Sequence, residues 1–213
     1  MRTDDLVKLL ATGAEPVERH AVGHRYAIAI TLGMGASALL MLNLLGLRPD
    51  LAVAVRLPMF WVKLGFVAGL AWASLLATLR LSRPGVRLKW VPVALVAPVL
   101  VIWAIAGVAL AGADPTLRPG LIFGATWKSC PWLIAMLSIP VFFAAFWAMH
   151  GLAPTRLALA GAAAGLLSGT VGALVYCLHC PELDAPFLGT WYLLGMLIPA
   201  LTGLALGPRL LRW

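Results

Sequence analysis

Carboxylates are scarce in this chain. Its 213 residues hold eight Asp and Glu, and none falls inside the long apolar runs, which argues against an ion-coupled transporter built on intramembrane acids. The sequence also lacks a Gly-rich phosphate loop, and its apolar runs contain no carboxylate pair and no Ser/His/Asp set. It has no convincing internal repeat. A signal peptide is not expected, because the first 25 residues carry Asp4, Asp5, Glu15 and Glu18 and have no apolar core. Cysteine is limited to Cys130, Cys177 and Cys180.

Apolar residues fill the space that charge leaves. With 62% hydrophobic and 11% charged residues and a mean hydropathy of +0.96, a soluble globular protein is excluded. Runs of about 18 to 22 residues match the roughly 30 Å of hydrocarbon that a membrane helix must cross. They predict an all-α, polytopic membrane protein with six spans, at residues 26–47, 58–79, 90–111, 131–149, 157–176 and 187–206. Gly33, Gly35, Ala36 and Ser37 in the first span, and Gly161, Gly165 and Gly169 in the fifth, are small residues that let helices approach closely. Pro92 and Pro98 are expected to bend the third. The link 112–130 reads as loop with a short interfacial turn.

Two units follow: a cytoplasmic segment, 1–25, and a six-helix membrane domain, 26–213. In the segment Thr3 can cap a helix, Asp4 and Asp5 suit the positive end of its dipole, and Leu6, Leu9, Leu10 and Val17 share a face. Gly13 and Pro16 should end the helix in a hinge. Such a helix either lies on the membrane surface or fits the groove of a partner protein.

The net charge of +8 sits in short links, so it reads as topological charge facing anionic lipid, and direct nucleic-acid binding is not expected. Six spans put both termini on one side. That side carries eleven Lys and Arg, in the N-terminal segment, the 80–89 link, the 150–156 turn and the C-terminus. The other side has Arg48, Arg56, Arg118 and Lys128. The imbalance predicts cytoplasmic termini.

All three cysteines then lie outside. Cys130 opens the fourth span, and Cys177 and Cys180 close the fifth. A link of about seven residues makes these spans antiparallel neighbours, with axes about 8–10 Å apart, so the cysteines at their outer ends can approach the roughly 5.5 Å Cα separation of a disulfide. Any one bond leaves a spare thiol, which can attack a disulfide if Lys128 or a protonated His179 favours its thiolate. Alternatively Cys130, Cys177, His179 and Cys180 supply sulfur and imidazole to copper, zinc or cadmium, or a disulfide merely staples two loops. Cys177-Leu178-His179-Cys180-Pro181 does not fit haem attachment, which needs His directly after the second Cys. Lys63 is the one ionisable residue well inside a span. It either snorkels outward as an interfacial anchor or pairs with Glu182 or Asp184.

The order of several short stretches resembles the NrsF family of membrane-bound negative regulators of extracytoplasmic-function (ECF) sigma factors. They are Thr3-Asp4-Asp5-Leu6, Pro58-Met59-Phe60-Trp61-Val62-Lys63, Trp127-Lys128-Ser129-Cys130, Ala153-Pro154-Thr155, Gly161-Ala162-Ala163-Ala164-Gly165-Leu166, Tyr176-Cys177-Leu178-His179-Cys180 and Thr190-Trp191-Tyr192. The resemblance implies an anti-sigma factor of the bacterial inner membrane, not an enzyme, and no required cofactor. It puts the sigma contact around Asp4, Asp5 and Leu6, and reception of heavy-metal or oxidative stress at Cys130 and Cys180. Cys177 lies outside that pattern, which has a small apolar residue there. The competing readings are a membrane thiol-disulfide oxidoreductase using Cys177 and Cys180 with Cys130 for exchange, and a metal permease with an outer Cys/His gate.

Overall fold

The computed structural model describes residues 3–12, 21–152 and 154–212. The hinge expected at Gly13 and Pro16 lies outside these residues, as do the side chains of Leu6, Leu9 and Leu10. Among the described residues ten α-helices run in order: α1 (Thr3–Thr12), α2 (Ala21–Leu44), α3 (Leu51–Ala54), α4 (Pro58–Leu81), α5 (Val91–Gly112), α6 (Arg118–Phe123), α7 (Cys130–His150), α8 (Leu157–Tyr176), α9 (Ala185–Phe187) and α10 (Leu193–Leu210). A π-helical turn, Leu188–Tyr192, joins the last two into one span. Six of these segments are long and apolar enough to cross a membrane, and no strand occurs among the described residues. The chain is an all-helical membrane protein.

The helix bounds follow local chemistry. Thr3 is the first residue of α1 rather than its cap, with Asp4 and Asp5 exposed in the first turn, where the helix dipole favours acids. The first span starts earlier than its apolar run suggests, at Ala21, and finishes at Leu44. Gly46 follows at φ 73°, the left-handed backbone that ends many helices. Pro92 does not bend α5. It sits in the first turn, where a missing N–H costs nothing, and Pro98 is the internal proline. Arg118–Phe123 is the expected interfacial turn of the 112–130 link.

Packing is inside-out relative to a soluble bundle. Large apolar residues such as Trp72, Val108, Trp132 and Phe143 face outward, while the interior mixes apolar side chains such as Phe66, Ile134 and Leu137 with buried small and hydroxyl residues such as Ala164, Ser74 and Thr170. Lipid gives helices no hydrophobic reason to associate, so close backbone approach and buried hydrogen bonds hold the bundle. The central helix is α8, against which α4, α7 and α10 all pack. A Cβ added at Gly165 would run into the carbonyl of Pro199, and one at Gly161 into that of Gly203; at Gly169 it would stand 2.6 Å from the Met196 carbonyl. The glycine stripe read from the sequence is thus the seam between α8 and α10. On another face of α8, Thr170 Oγ1 lies 3.2 Å from Ser74 Oγ of α4.

Helix α2 rests on α7. Gly33 allows the approach, since a Cβ there would lie 2.9 Å from Val141 Cα, and Ser37 Oγ donates to the Leu137 carbonyl at 2.7 Å. At the end where α2 starts and α10 finishes, here the terminal end, Tyr26 donates to Ser82 Oγ at 2.8 Å while Ser82 donates to the Thr78 carbonyl. Arg25 Nη2 donates to the Trp147 carbonyl, with its guanidinium 4.8 Å from that indole ring. The opposite end carries the cysteines.

Gly165→Val should force α8 and α10 apart and destabilise the bundle by about 1–3 kcal/mol, the usual cost of overpacking. Gly35→Val is the control, because its Cβ would meet nothing within 4 Å. Thermal unfolding of both variants in one detergent checks the difference.

Candidate functional site

Cys130 is the first residue of α7, and its N–H donates to the Thr126 carbonyl at 2.9 Å. Cys177 follows α8 directly, and a further tight turn carries the chain through His179 to Cys180, whose N–H donates to the Tyr176 carbonyl at 3.0 Å. Because α7 and α8 are antiparallel neighbours, these ends meet. Cys130 and Cys180 lie side by side, with Tyr176 against both sulfurs. Cys177 is set apart, toward Tyr192. All three thiols are free and fully buried. The Tyr192 hydroxyl is buried without a well-placed hydrogen-bond partner among the described residues, and the groups beside it are the sulfurs of Cys177 and Cys180.

Two cations reach this pocket, one from α4 and one from the link after α2. Lys63 of α4 does not snorkel: it is fully buried, and its Nζ donates to the carbonyls of Cys180 and Glu182, each at 3.0 Å. The same ammonium lies 4.7 Å from the centre of the Tyr192 ring, a favourable cation–π placement in a dry site. Its link to the outer loop is as expected, but it runs through the Glu182 backbone. The Glu182 carboxylate instead accepts from the Ala125 N–H at 2.8 Å, and it occupies the space a side chain at Gly124 (φ 55°) would need. Arg48 forms a bidentate pair with Asp50, both bonds at 2.7 Å, and donates a third bond to the Cys180 carbonyl at 3.2 Å. That pairing holds the Asp50 carboxyl below the usual carboxylate range.

The thiols differ as a result. Cys180 is held well below an ordinary thiol, first by the S–H donated from Cys130 and also by the positive charge of Lys63, against a burial that opposes ionisation. Burial pushes Cys177 up to about 11. Of the three thiols, the surroundings favour ionisation at Cys180 and oppose it at Cys177.

His179 Nδ1 lies 3.0 Å from the Gly46 carbonyl, so the ring ties the loop to the end of the first span. Lys128 sits over its neighbour Trp127, 5.4 Å from the ring centre, and is exposed; the cation beside the sulfurs is Lys63. Among the described residues no group of three or more His, Cys, Asp or Glu is placed to hold a metal ion, so Cys130, Cys177, His179 and Cys180 do not form a ready four-ligand site. Sequence reasoning missed Arg48 and Tyr192 as site residues. Arg48 was visible only as a loop cation two residues from an acid, and Tyr192 only as an aromatic in an apolar run. Trp191 hydrogen-bonds the Ile122 carbonyl at 2.8 Å and packs on Trp127 at 5.1 Å, covering the pocket from the α6 side.

Residues 10–213 match the NrsF family, described as negative regulator of sigma F. The chain is 61% identical over 213 residues to the probable anti-sigma-F factor NrsF of Azospira oryzae, covering all of both chains. It is 43% identical over 217 positions to the anti-sigma-F factor NrsF of Caulobacter vibrioides, again covering all of both. No solved structure matches it. Both relatives carry the names of regulatory proteins, not of oxidoreductases or permeases. By the family match over residues 10–213 and the whole-length identity to both relatives, the chain belongs to the NrsF family of negative regulators of sigma F.

Proposed function

We propose that this protein is an anti-sigma factor of the inner membrane, with both termini cytoplasmic. It holds a sigma factor of the ECF class through its N-terminal segment and releases it when the Cys130–Cys180 pair reacts with an extracytoplasmic stressor. The observation that carries the reading is the contact between those two thiols at the head of α7, the helix on which α2 is seated. The sigma-binding segment precedes α2, with Asp4, Asp5, Leu6, Leu9 and Leu10 as its contact residues. A reaction at one end of α7 therefore has a packed route to the base of that segment.

For an oxidant the chemistry balances with a hydroperoxide. The Cys180 thiolate attacks one peroxide oxygen and expels an alkoxide, which takes up a proton. The resulting sulfenic acid is attacked by Cys130, forming the S–S bond and releasing water. Two thiols lose two electrons, and the hydroperoxide becomes an alcohol and water. A thiophilic cation such as copper, zinc or cadmium could instead bridge the same two sulfurs, drawing further ligands from water or from a rearranged loop. The burial of all three thiols means that either stressor enters through a local opening of the outer loops. A differential stabilisation of a few kcal/mol between two packings of α7 is enough to shift sigma binding decisively.

Three outcomes are expected. Replacing Cys130 and Cys180 together by Ser should leave sigma capture intact and remove the response to peroxide and cadmium, read from a sigma-dependent reporter; an unchanged response sinks the sensing role. Deleting residues 1–20 should abolish co-purification with the sigma factor, and retained capture would move the contact to another cytoplasmic link. Lys63→Met should raise the pH at which Cys180 reacts with a small alkylating agent, slowing the reaction at neutral pH roughly tenfold for each pH unit gained. Cys177 should stay inert in both proteins, as mass spectrometry of the alkylated peptides would report.

A further inference from the structure

A second set of convergent charges lies at the terminal end, far from the cysteines. There the link between α4 and α5 and the link between α7 and α8 enclose a cavity of about 420 Å³. Its apolar wall comes from Leu81, Val86 and Leu88, and its polar wall from Arg83, Arg87 and Arg156, with Thr155 beside them. The shape is fixed by the fold. Gly85 turns the first link at φ 74°, and Arg80 pins it by donating to the Leu88 carbonyl at 2.7 Å while stacking 5.3 Å from the Trp90 ring. Arg80 is thus consumed by structure, and the three arginines on the cavity wall are exposed.

Nothing in the surrounding links neutralises them. The sequence has no Asp or Glu between Asp50 and Asp114, none between Asp114 and Glu182, and none after Asp184. Among the described residues the one ion pair is Arg48 with Asp50, at the other end. Directly after Thr155 and Arg156, α8 begins without a capping side-chain bond or an acid in its first turn. The same wall therefore adds the positive end of a twenty-residue helix dipole. Positive-inside topology accounts for basic links, but it does not require arginines some seventy residues apart to meet around one cavity.

We propose that this cavity binds the phosphate of an anionic glycerophospholipid from the leaflet that it faces. Guanidinium groups match phosphate in a planar, bidentate way. The cavity lies where α4 finishes and α8 starts, the depth of the headgroups, and its apolar wall suits the glycerol and the first methylenes of a lipid better than a free anion. The bound lipid would brace the end of α4, where Ser82 holds Tyr26 of α2.

The test uses the full chain in nanodiscs of phosphatidylcholine with increasing phosphatidylglycerol or cardiolipin, read by thermal unfolding and by native mass spectrometry of retained lipid. The expected result is a saturable rise in midpoint with the anionic fraction and one or two retained anionic lipids. Arg83→Gln, Arg87→Gln and Arg156→Gln combined should weaken the effect on the order of tenfold, and replacement of all three by Lys should restore only part of it. Arg209→Gln with Arg212→Gln is the control for general surface charge, and a loss as large as that of the cavity variant would overturn the proposal. Equal stabilisation by millimolar inorganic phosphate in pure phosphatidylcholine would replace the lipid with a soluble anion. A lipid response that emerges only after Asp4, Asp5, Glu15 and Glu18 are neutralised would show the chain's own acidic segment in the cavity, also against the proposal.

Discussion

A bare ammonium cannot rest inside a dry bundle, and the cysteine end of this protein is arranged around that constraint. Lys63 is fully buried with no carboxylate in reach, so its charge is met by two backbone carbonyls and an aromatic face. Those carbonyls belong to Cys180 and Glu182. Satisfying Lys63 thus fixes the return loop after α8, and fixing that loop sets Cys180 against Cys130. Arg48 adds a bond to the same Cys180 carbonyl. One oxygen therefore ties the link after α2 to α4 and to the cysteine loop.

The terminal half depends on a different device, backbone approach. Helices α8 and α10 touch chiefly through glycines and backbone carbonyls, which makes α8 the fixed post of the structure. Helix α7 touches α8 on one side and α2 on another. It begins at a cysteine and ends beside Arg25, at the foot of α2. The thiol pair and the start of α2 thus sit at opposite ends of one rod. Allosteric coupling needs a contiguous element with two arrangements, and α7 is the element whose packing both ends share.

Much of this was legible in the residues. Six apolar runs of membrane length give the helices, and the fifth span agrees to the residue because a charged turn bounds its start and a cysteine turn its finish. The Gly161, Gly165 and Gly169 spacing marked the α8–α10 seam, and the short 150–156 link implied that Cys130 would meet the second cysteine segment. What sequence patterns lack is the direction of a side chain. Lys63 lies close enough to a span end to snorkel, and only the folded loop shows that carbonyls wait for it inside. His179 sits between two cysteines in the chain, yet its Nδ1 meets the Gly46 carbonyl. Arg48 and Tyr192 acquire their roles from three-dimensional neighbours that no local spacing encodes.

The π-helical turn at Leu188–Tyr192 carries a consequence for how this chain can vary. A π turn holds one residue more than an α turn, and here that extra residue sends Trp191 to the roof and Tyr192 to the sulfurs while α10 continues in register with α8. Losing one residue there would rotate everything beyond it by about 100°. Gly195, Gly203 and Gly207 would turn off their seams together, and bulky neighbours would take their places. Loop lengths elsewhere can drift with little cost, but between Ala185 and Gly195 the count of residues is itself part of the fold.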